Sequence, residues 1–185
     1  MKTIHIPNVL QDGFGEETTL LELVLILAVS TISTPAVFYV TQEEWSSMPL
    51  WKLIILFVLI FDIFAGFISN LTYSTNAYYQ ESQKKQLTLI AIHIQPLIFA
   101  FLLGGFILIC FLVWIYTMLA SLVVVQLGNF PAQKVVAGSL VAPGLVGLLL
   151  ISSDLSLILI VALAFFQLKL IYSFSVDHFQ GIHIQ

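Results

Sequence analysis

Long apolar segments dominate this chain, and its polar residues collect in the short stretches between them. A membrane-spanning helix needs about 20 consecutive, mostly apolar residues. The apolar segment 87–127 is too long for one such helix, because at about 1.5 Å per residue it would reach roughly twice the thickness of the hydrocarbon core. Gly104 and Gly105 offer a turn within it, since glycine adopts positive φ readily. The pattern therefore predicts an all-α integral membrane protein, a bundle of six transmembrane helices, with spans 1 to 6 at about 20–40, 51–70, 87–103, 106–127, 135–151 and 155–174.

The composition supports a membrane location and excludes several classes of protein. Charged residues make up 9% of the 185 residues, and hydrophobic residues make up 59%, whereas a soluble domain carries about 25% charged residues. We therefore exclude a soluble enzyme, a nucleic-acid-binding protein and a disordered chain. The length predicts a single polytopic domain over residues 1–185. All basic residues are Lys, and this richness in Lys, Ile and Phe is associated with AT-rich bacterial genomes.

The distribution of lysines predicts an orientation. Six spans place both termini, the loop at 71–86 and the loop at 128–134 on one side of the membrane. Because Lys is enriched in cytoplasmic loops, we expect both termini to be cytoplasmic in the plasma membrane. We expect Lys169, near the inner end of span 6, to extend its ammonium group to the interface. The predicted inner side carries Lys2, Lys84, Lys85, Lys134 and Lys169, and the outer side carries Lys52.

Asp62 is the one carboxylate in the middle of a predicted span. A charge at the centre of the bilayer costs about 3 kcal/mol on insertion scales, so such a residue should face the bundle interior and have a partner or water. Two interpretations remain open. Asp62 either takes part in function, or it is a protonated group that joins helices.

A polar stripe extends the interpretation of Asp62. Leu71 to Gln80 contains no helix breaker, so the helix of span 2 is expected to continue past the membrane. On such a helix a set of polar or small residues shares one face. The stripe predicts the wall of a cleft open to the cytosol, with a polar seam between helices as the alternative. Its members are Asp62, Gly66, Ser69, Tyr73, Asn76 and Gln80.

His93 is the one histidine within a predicted span, and its expected depth is within about one helical turn of Asp62. An Asp–His pair would suit proton handling, because a carboxylate partner moves the imidazole pKa across the physiological range. The alternative is an interior hydrogen-bonding histidine. Gln95 is expected on nearly the opposite face of span 3 from His93, and Pro96 frees the backbone carbonyl of Ile92 for a ligand or an ion.

The sequence does not identify a cofactor, and it predicts no metal site. His5, His178 and His183 share the predicted cytoplasmic side. A zinc site needs three or four ligands in a fixed geometry, and the spacing of these histidines does not supply one.

Three functions are consistent with these features. The first is a small-solute or proton-coupled transport or binding component, because transporters combine buried charges with interrupted helices. The second is a structural or regulatory subunit of a membrane complex. The third is an intramembrane lipid-modifying enzyme that uses Asp62 and His93 as an acid–base pair. The expected partners are the lipid bilayer, a small solute or lipid ligand, and a second copy of the chain or other membrane subunits, but no nucleic acid.

In size and in its six-span layout with cytoplasmic termini, the chain is similar to the substrate-binding subunits of energy-coupling-factor vitamin transporters. The resemblance is one of layout and rests on no sequence motif. It implies a solute-binding subunit that works with further membrane components. The predicted stripe departs from that family, because those subunits bind their ligand on the outer side.

Overall fold

The computed structural model describes residues 3–128 and 130–180. Within them the protein has six segments that are long and apolar enough to cross a membrane, which confirms the predicted fold class. The protein is therefore an integral, multi-pass membrane protein. Lys2, Asn129 and His183 lie outside the described residues.

Spans 1, 2, 4 and 5 are single helices, whereas spans 3 and 6 are composite. The single helices are α2 (Leu20–Val40), α4 (Leu50–Ser69), α8 (Ile107–Gln126) and α9 (Gln133–Leu150). Span 3 consists of α6 (Gln83–Ile92) and α7 (Gln95–Leu103), and span 6 runs from α10 (Leu157–Gln167) into a π-helix (Leu168–Phe174).

The connections carry short elements. A two-stranded antiparallel sheet pairs β1 (Thr3–His5) with β2 (Glu17–Thr19) ahead of the first span. The short helices are α1 (Gln11–Phe14), α3 (Gln42–Trp45) and α5 (Tyr73–Gln80), with 3-10 turns at Asn8–Leu10 and Ser152–Asp154.

The helix of span 2 ends at Ser69, so the expectation of a continuous helix through Gln80 is wrong. The Thr72 hydroxyl donates to the Ser69 carbonyl oxygen at 2.8 Å and caps the first turn of α5 at the Thr75 amide. Short hydroxyl side chains compete with the helix for its backbone groups in this way. This segment contains no Gly or Pro, so the sequence feature that indicates the helix break is its run of hydroxyl residues.

Span 3 is broken at His93 and Ile94, between α6 and α7. Pro96 explains the position of the break, because its ring would collide with the carbonyl group four residues earlier, at Ile92, in a continuous helix. The freed carbonyl groups find other donors. The Ile94 amide donates to the Ile92 oxygen at 2.9 Å, and the Trp114 indole donates to the His93 oxygen at 3.1 Å.

The chain reverses direction between α7 and α8 at Gly104, which has a φ of +72°. This left-handed backbone conformation carries little penalty for glycine. The reversal divides the apolar segment 87–127 into two antiparallel spans, and α7 packs against α8.

Both described ends of the chain lie at one end of the bundle, here called the terminal end. There the Asn76 amide donates to the Val176 carbonyl oxygen at 2.8 Å, and the Tyr79 hydroxyl donates to the Asp12 carbonyl oxygen at 2.9 Å. At the opposite end, the Lys52 ammonium donates to the Leu102 carbonyl oxygen at 3.1 Å. These contacts join the loops at each end of the bundle.

Span 6 is the central element of the bundle. It packs against α4, α8 and α9, and residues such as Leu163 and Phe166 are fully buried. Its first turn is capped by a side chain from another part of the chain. The Glu44 carboxylate accepts hydrogen bonds from the Leu157 and Ile158 amides at 2.8 and 3.0 Å.

The cap predicts that Glu44→Ala destabilises the protein. The substitution leaves two amide donors without their acceptor and removes a negative charge from a helix N-terminus, so the free energy of unfolding should fall by about 1–2 kcal/mol. Unfolding in mixed micelles measures the loss. Glu43→Ala is the matched control, because Glu43 is exposed beside it and its removal should change stability by less than about 0.5 kcal/mol. Equal effects of the two substitutions would contradict the capping role.

Candidate functional site

A cavity of about 440 Å³ lies between span 2 and span 3, on the half of the bundle nearer the terminal end. It arises because α4 packs against α7, whereas α6 packs against α5 and α8 and leaves a space beside α4. We call it the Asp62 cavity. Its polar lining comes from Asp12, Asp62, Ser69, Asn70, His93, Gln95 and Lys169.

The centre of the site is an ion pair between Asp62 of α4 and Lys169 of the π-helix. The Lys169 ammonium lies 2.7 Å from the Asp62 Oδ2 atom and 3.4 Å from the Asp62 backbone oxygen. Asp62 lies seven residues before the end of α4, which is about 10 Å along the helix. Both charges are therefore well inside the membrane-spanning region, where opposite charges are expected to pair.

The two partners differ in their access to the cavity. The Lys169 side chain is 4% exposed, whereas the Asp62 side chain is 53% exposed and lines the cavity. The expectation that Lys169 extends to the interface is wrong. Span 6 is surrounded by other helices, so its side chain has no path along a lipid-facing surface, and pairing with Asp62 offsets the loss of hydration.

Gly66 makes room for the lysine side chain. It lies one helical turn beyond Asp62, and a Cβ atom at this position would collide with Lys169 Cε. Gly66 also lines the cavity. The absence of a side chain here lets Lys169 pass along α4 to reach the carboxylate.

Gln95 completes the contacts of Asp62. Its Nε2 atom donates to Asp62 Oδ2 at 2.5 Å. Gln95 is 8% exposed, and its Oε1 atom has no hydrogen-bond partner within the described residues. Because span 3 breaks between them, His93 and Gln95 line the same cavity and do not lie on opposite faces of one helix as predicted.

His93 shares the cavity with Asp62 but does not pair with it directly. The imidazole Nδ1 atom lies 2.6 Å from the Leu89 carbonyl oxygen. A carbonyl oxygen can only accept, so Nδ1 carries a proton and Nε2 is left for the cavity. Among the described residues, the hydrogen bonds to the Asp62 carboxylate come from Lys169 and Gln95. The expected Asp–His contact is thus replaced by an Asp–Lys–Gln cluster with the histidine nearby.

The predicted polar stripe is divided by the helix break. Asp62, Gly66 and Ser69 line the cavity. The three residues beyond the break lie elsewhere, at the terminal end. Tyr73 packs edge-on against Phe179 at 5.2 Å, Asn76 bonds Val176, and Gln80 accepts from Gln86 Nε2 at 3.0 Å.

The N-terminal segment forms the wall of the cavity at the terminal end, which the sequence did not predict. Asp12 and Gly13 line the cavity there. The Ser69 hydroxyl donates to the Gly13 carbonyl oxygen, and the Tyr79 hydroxyl donates to the Asp12 carbonyl oxygen. Burial, with the nearby Asp12 carboxylate, raises the pKa of the Tyr79 hydroxyl, so it remains a donor at physiological pH. The cavity is therefore covered by α1 on this side.

Part of the cavity rim faces the bilayer. Ile92 and Ile94 line the cavity and are 63% and 44% exposed on the outside of the bundle. These apolar side chains flank the break in span 3. The cavity therefore combines polar groups in its interior, such as Asp62 and Gln95, with apolar side chains at its opening.

Within the described residues, no group of three or more His, Cys, Asp or Glu side chains is arranged to hold a metal ion. His178 uses its Nε2 atom to donate to the Ser173 carbonyl oxygen at 3.0 Å. His5 lies in β1, and His183 lies outside the described residues.

Sequence reasoning missed Lys169 and Gln95 as site residues. The available signal for Lys169 was its position between Leu168 and Leu170, five residues inside the end of the last span, where a second intramembrane charge is a natural partner for Asp62. Gln95 carried no comparable signal, because its direction depends on the break in span 3.

Comparisons with protein-family models, with curated proteins and with solved structures give no match to this chain. The Asp62–Lys169 pair has no net charge, and within the described residues acceptor positions remain on Asp62 Oδ1, Gln95 Oε1 and His93 Nε2.

The unequal exposure of the ion pair predicts unequal effects of its removal. Asp62→Asn leaves a buried ammonium without a counter-charge and should lower the free energy of unfolding by about 3 kcal/mol. Lys169→Met leaves a carboxylate that the cavity can hydrate, and should cost about 1 kcal/mol. The double substitution should recover most of the loss. Unfolding titrations of the four proteins give the coupling energy directly.

Lys84→Met is the control for this cycle, because Lys84 is an exposed lysine on α6 whose replacement should change stability by less than about 0.5 kcal/mol. A larger loss for Lys169→Met than for Asp62→Asn would contradict the assignment of Asp62 to a hydrated cavity.

Proposed function

We propose that this membrane protein binds a small polar solute in the Asp62 cavity and serves as a binding or transport component. One observation carries the proposal: a half-exposed carboxylate, paired with a buried lysine, faces a cavity of about 440 Å³ inside the membrane-spanning region. A pair that only joined helices would be enclosed by both of them. Here half of one partner is left accessible.

The broken span supports the same function. In secondary transporters, substrate sites are formed where helices are interrupted, because an interrupted helix presents free backbone and polar groups inside the membrane. The break at His93 and Ile94 lies against the cavity and brings the Gln95 amide to Asp62. The polar groups around the solute would thus come from three separate spans.

The charge of the site indicates the class of solute. Lys169 neutralises Asp62, so the pair favours neither anions nor cations. The free positions on Gln95 Oε1 and His93 Nε2 are acceptors, which call for a ligand with hydrogen-bond donors. We therefore propose an uncharged or zwitterionic solute that carries hydroxyl or amino groups.

We further propose that both termini are cytoplasmic in the plasma membrane. Lys84, Lys85 and Lys134 lie toward the terminal end, against Lys52 at the opposite end. Lys169 is left out of this comparison of the two sides, because it is buried in the ion pair and does not lie in a loop. The remaining bias still follows the positive-inside rule. In this orientation the Asp62 cavity lies in the cytoplasmic half of the membrane.

A structural or regulatory role is the second candidate, favoured by the fact that the ion pair joins α4 to the central span. An acid–base enzyme is less well supported. Within the described residues, the Asp62 carboxylate is hydrogen-bonded by Lys169 and Gln95, and His93 is hydrogen-bonded to the Leu89 carbonyl oxygen, so the direct Asp62–His93 contact of an acid–base pair is not formed.

The proposal predicts selective ligand stabilisation of the purified protein in lipid nanodiscs. The probes are glycerol and ribose as uncharged solutes, glycine and alanine as zwitterions, acetate as an anion and ethylammonium as a cation. We expect a higher unfolding temperature with at least one uncharged or zwitterionic probe, because ligand binding to the native state stabilises it. Gln95→Leu should remove the shift, and Gln126→Leu, an exposed position on α8, should retain it.

Uptake of the stabilising probe into proteoliposomes then separates binding from transport. Asp62→Asn should lower uptake at least tenfold in protein that remains folded. If only the ionic probes stabilise the protein, the proposed solute class is wrong. If Asp62→Asn and Gln95→Leu leave every ligand response unchanged, the structural role is favoured instead.

A further inference from the structure

A second, smaller cavity lies between α8 and α9, against span 6. Its volume is about 220 Å³, and its walls are almost entirely apolar. We call it the Gln167 pocket, after the one amide side chain among the residues that line it. The residues that define it are Val113, Tyr116, Gly144, Gly147, Leu148 and Gln167.

Gln167 has unused hydrogen-bonding capacity in this pocket. It is 1% exposed, and neither its Nε2 nor its Oε1 atom has a partner in the part of the chain that the structure describes. The Tyr116 hydroxyl is already engaged, since it donates to the Leu140 carbonyl oxygen. Buried polar groups in native proteins are nearly always paired, so an amide with both groups free calls for a partner from outside the chain.

Gly144 makes the position of the amide possible. A Cβ atom at Gly144 would collide with Gln167 Oε1 and would lie 2.8 Å from a ring carbon of Tyr116. The glycine therefore leaves the space that the amide occupies. Gly144 is therefore a second position at which a substitution can test the pocket.

The size and lining of the pocket restrict its occupant. A water molecule needs two to four polar partners, and the walls offer little beyond the amide. A helix is about 10 Å wide, too large for a pocket of 220 Å³. A single aliphatic chain fits these walls. Leu112 at the rim is 54% exposed on the outside of the bundle, so the pocket is reached from the bilayer.

The amide defines the polar end of that chain. The amide presents an N–H donor group and a carbonyl acceptor side by side. A matching ligand group must therefore both accept and donate a hydrogen bond, which a hydroxyl or an un-ionised carboxyl group can do. We propose that the Gln167 pocket is a second binding site, for an aliphatic molecule from the bilayer that ends in a hydroxyl or un-ionised carboxyl group. The site shares no lining residue with the Asp62 cavity, so it is independent of the function proposed above.

Photolabelling of the full chain in nanodiscs tests this site. The probe is a ten-carbon alcohol with a diazirine near its tail, and the competitors are 1-decanol, decanoic acid and decane. We expect labelled residues on α8 or α9 around the pocket, and at least tenfold better competition by 1-decanol than by decane. Competition by decanoic acid should grow as the pH falls, because the un-ionised acid is the form that binds, and this arm distinguishes acids from alcohols.

Substitutions at Gln167 test the role of the amide. Gln167→Leu should lower labelling at least fivefold, because it removes both the donor and the acceptor. Gln167→Glu should retain labelling, because a protonated carboxyl group in an apolar site preserves both. Gln126→Leu is the matched control and should label like the wild type. Gly144→Ala gives a second variant that displaces the amide, and it should lower labelling even if Gln167→Leu does not fold.

Three outcomes would overturn the proposal. Equal competition by decane and 1-decanol would mean that the pocket binds apolar chains without using the amide. Wild-type labelling of folded Gln167→Leu would mean the same. A change in oligomeric mass with Gln167→Leu, without a change in labelling, would assign the pocket to a contact between subunits.

Discussion

The ion pair between Asp62 and Lys169 is the interaction on which the site and much of the bundle depend. Two opposite charges that enter the membrane-spanning region separately are each unfavourable, and together they compensate each other only if their geometry is close. The observed separation of 2.7 Å meets that condition. It requires span 6 to lie beside α4 at a fixed depth and rotation, and it requires Gly66 to leave space for the lysine side chain.

The cavity follows from a second constraint, the break in span 3. Pro96 prevents a continuous helix, so α6 and α7 take different paths, and α6 leaves the side of α4. The break also turns Gln95 toward the carboxylate. The N-terminal segment then covers the space at the terminal end through its contacts with Ser69 and Tyr79. A polar, partly accessible site inside a bilayer is thus produced by one proline, one ion pair and one short covering segment.

The sequence predicted the fold class well, because the pattern of apolar segments reflects a strong physical requirement of the bilayer. The turn at Gly104 followed from the length of the apolar segment together with the glycine pair inside it. The site was predicted in part. Asp62, Gly66, Ser69 and His93 line one cavity, and Asp62 could be found because a lone charge in an apolar segment stands out. Its partner could not be identified from the sequence, because a lysine at position 169 is also compatible with an interfacial position near a helix end.

The errors have a common origin in breaks of helices that periodicity does not detect. The Thr72 hydroxyl donates to the Ser69 carbonyl oxygen and ends α4 without a glycine or proline, and this separated Tyr73, Asn76 and Gln80 from the cavity. The break at His93 changed the relative directions of His93 and Gln95. In both places, backbone groups found side-chain or tertiary partners that a count at 100° per residue does not include.

The most direct measurement of the central claim is the distance between the lysine ammonium and the aspartate carboxylate in a lipid bilayer. Solid-state NMR on protein labelled with ¹⁵N at Lys Nζ and ¹³C at Asp Cγ measures their dipolar coupling. Within the described residues, the Lys–Asp ion pair is that of Lys169 with Asp62, so the structure predicts a close coupling that disappears in Asp62→Asn and in Lys169→Met. The absence of a close coupling in the wild type, or its persistence in Asp62→Asn, would contradict the account.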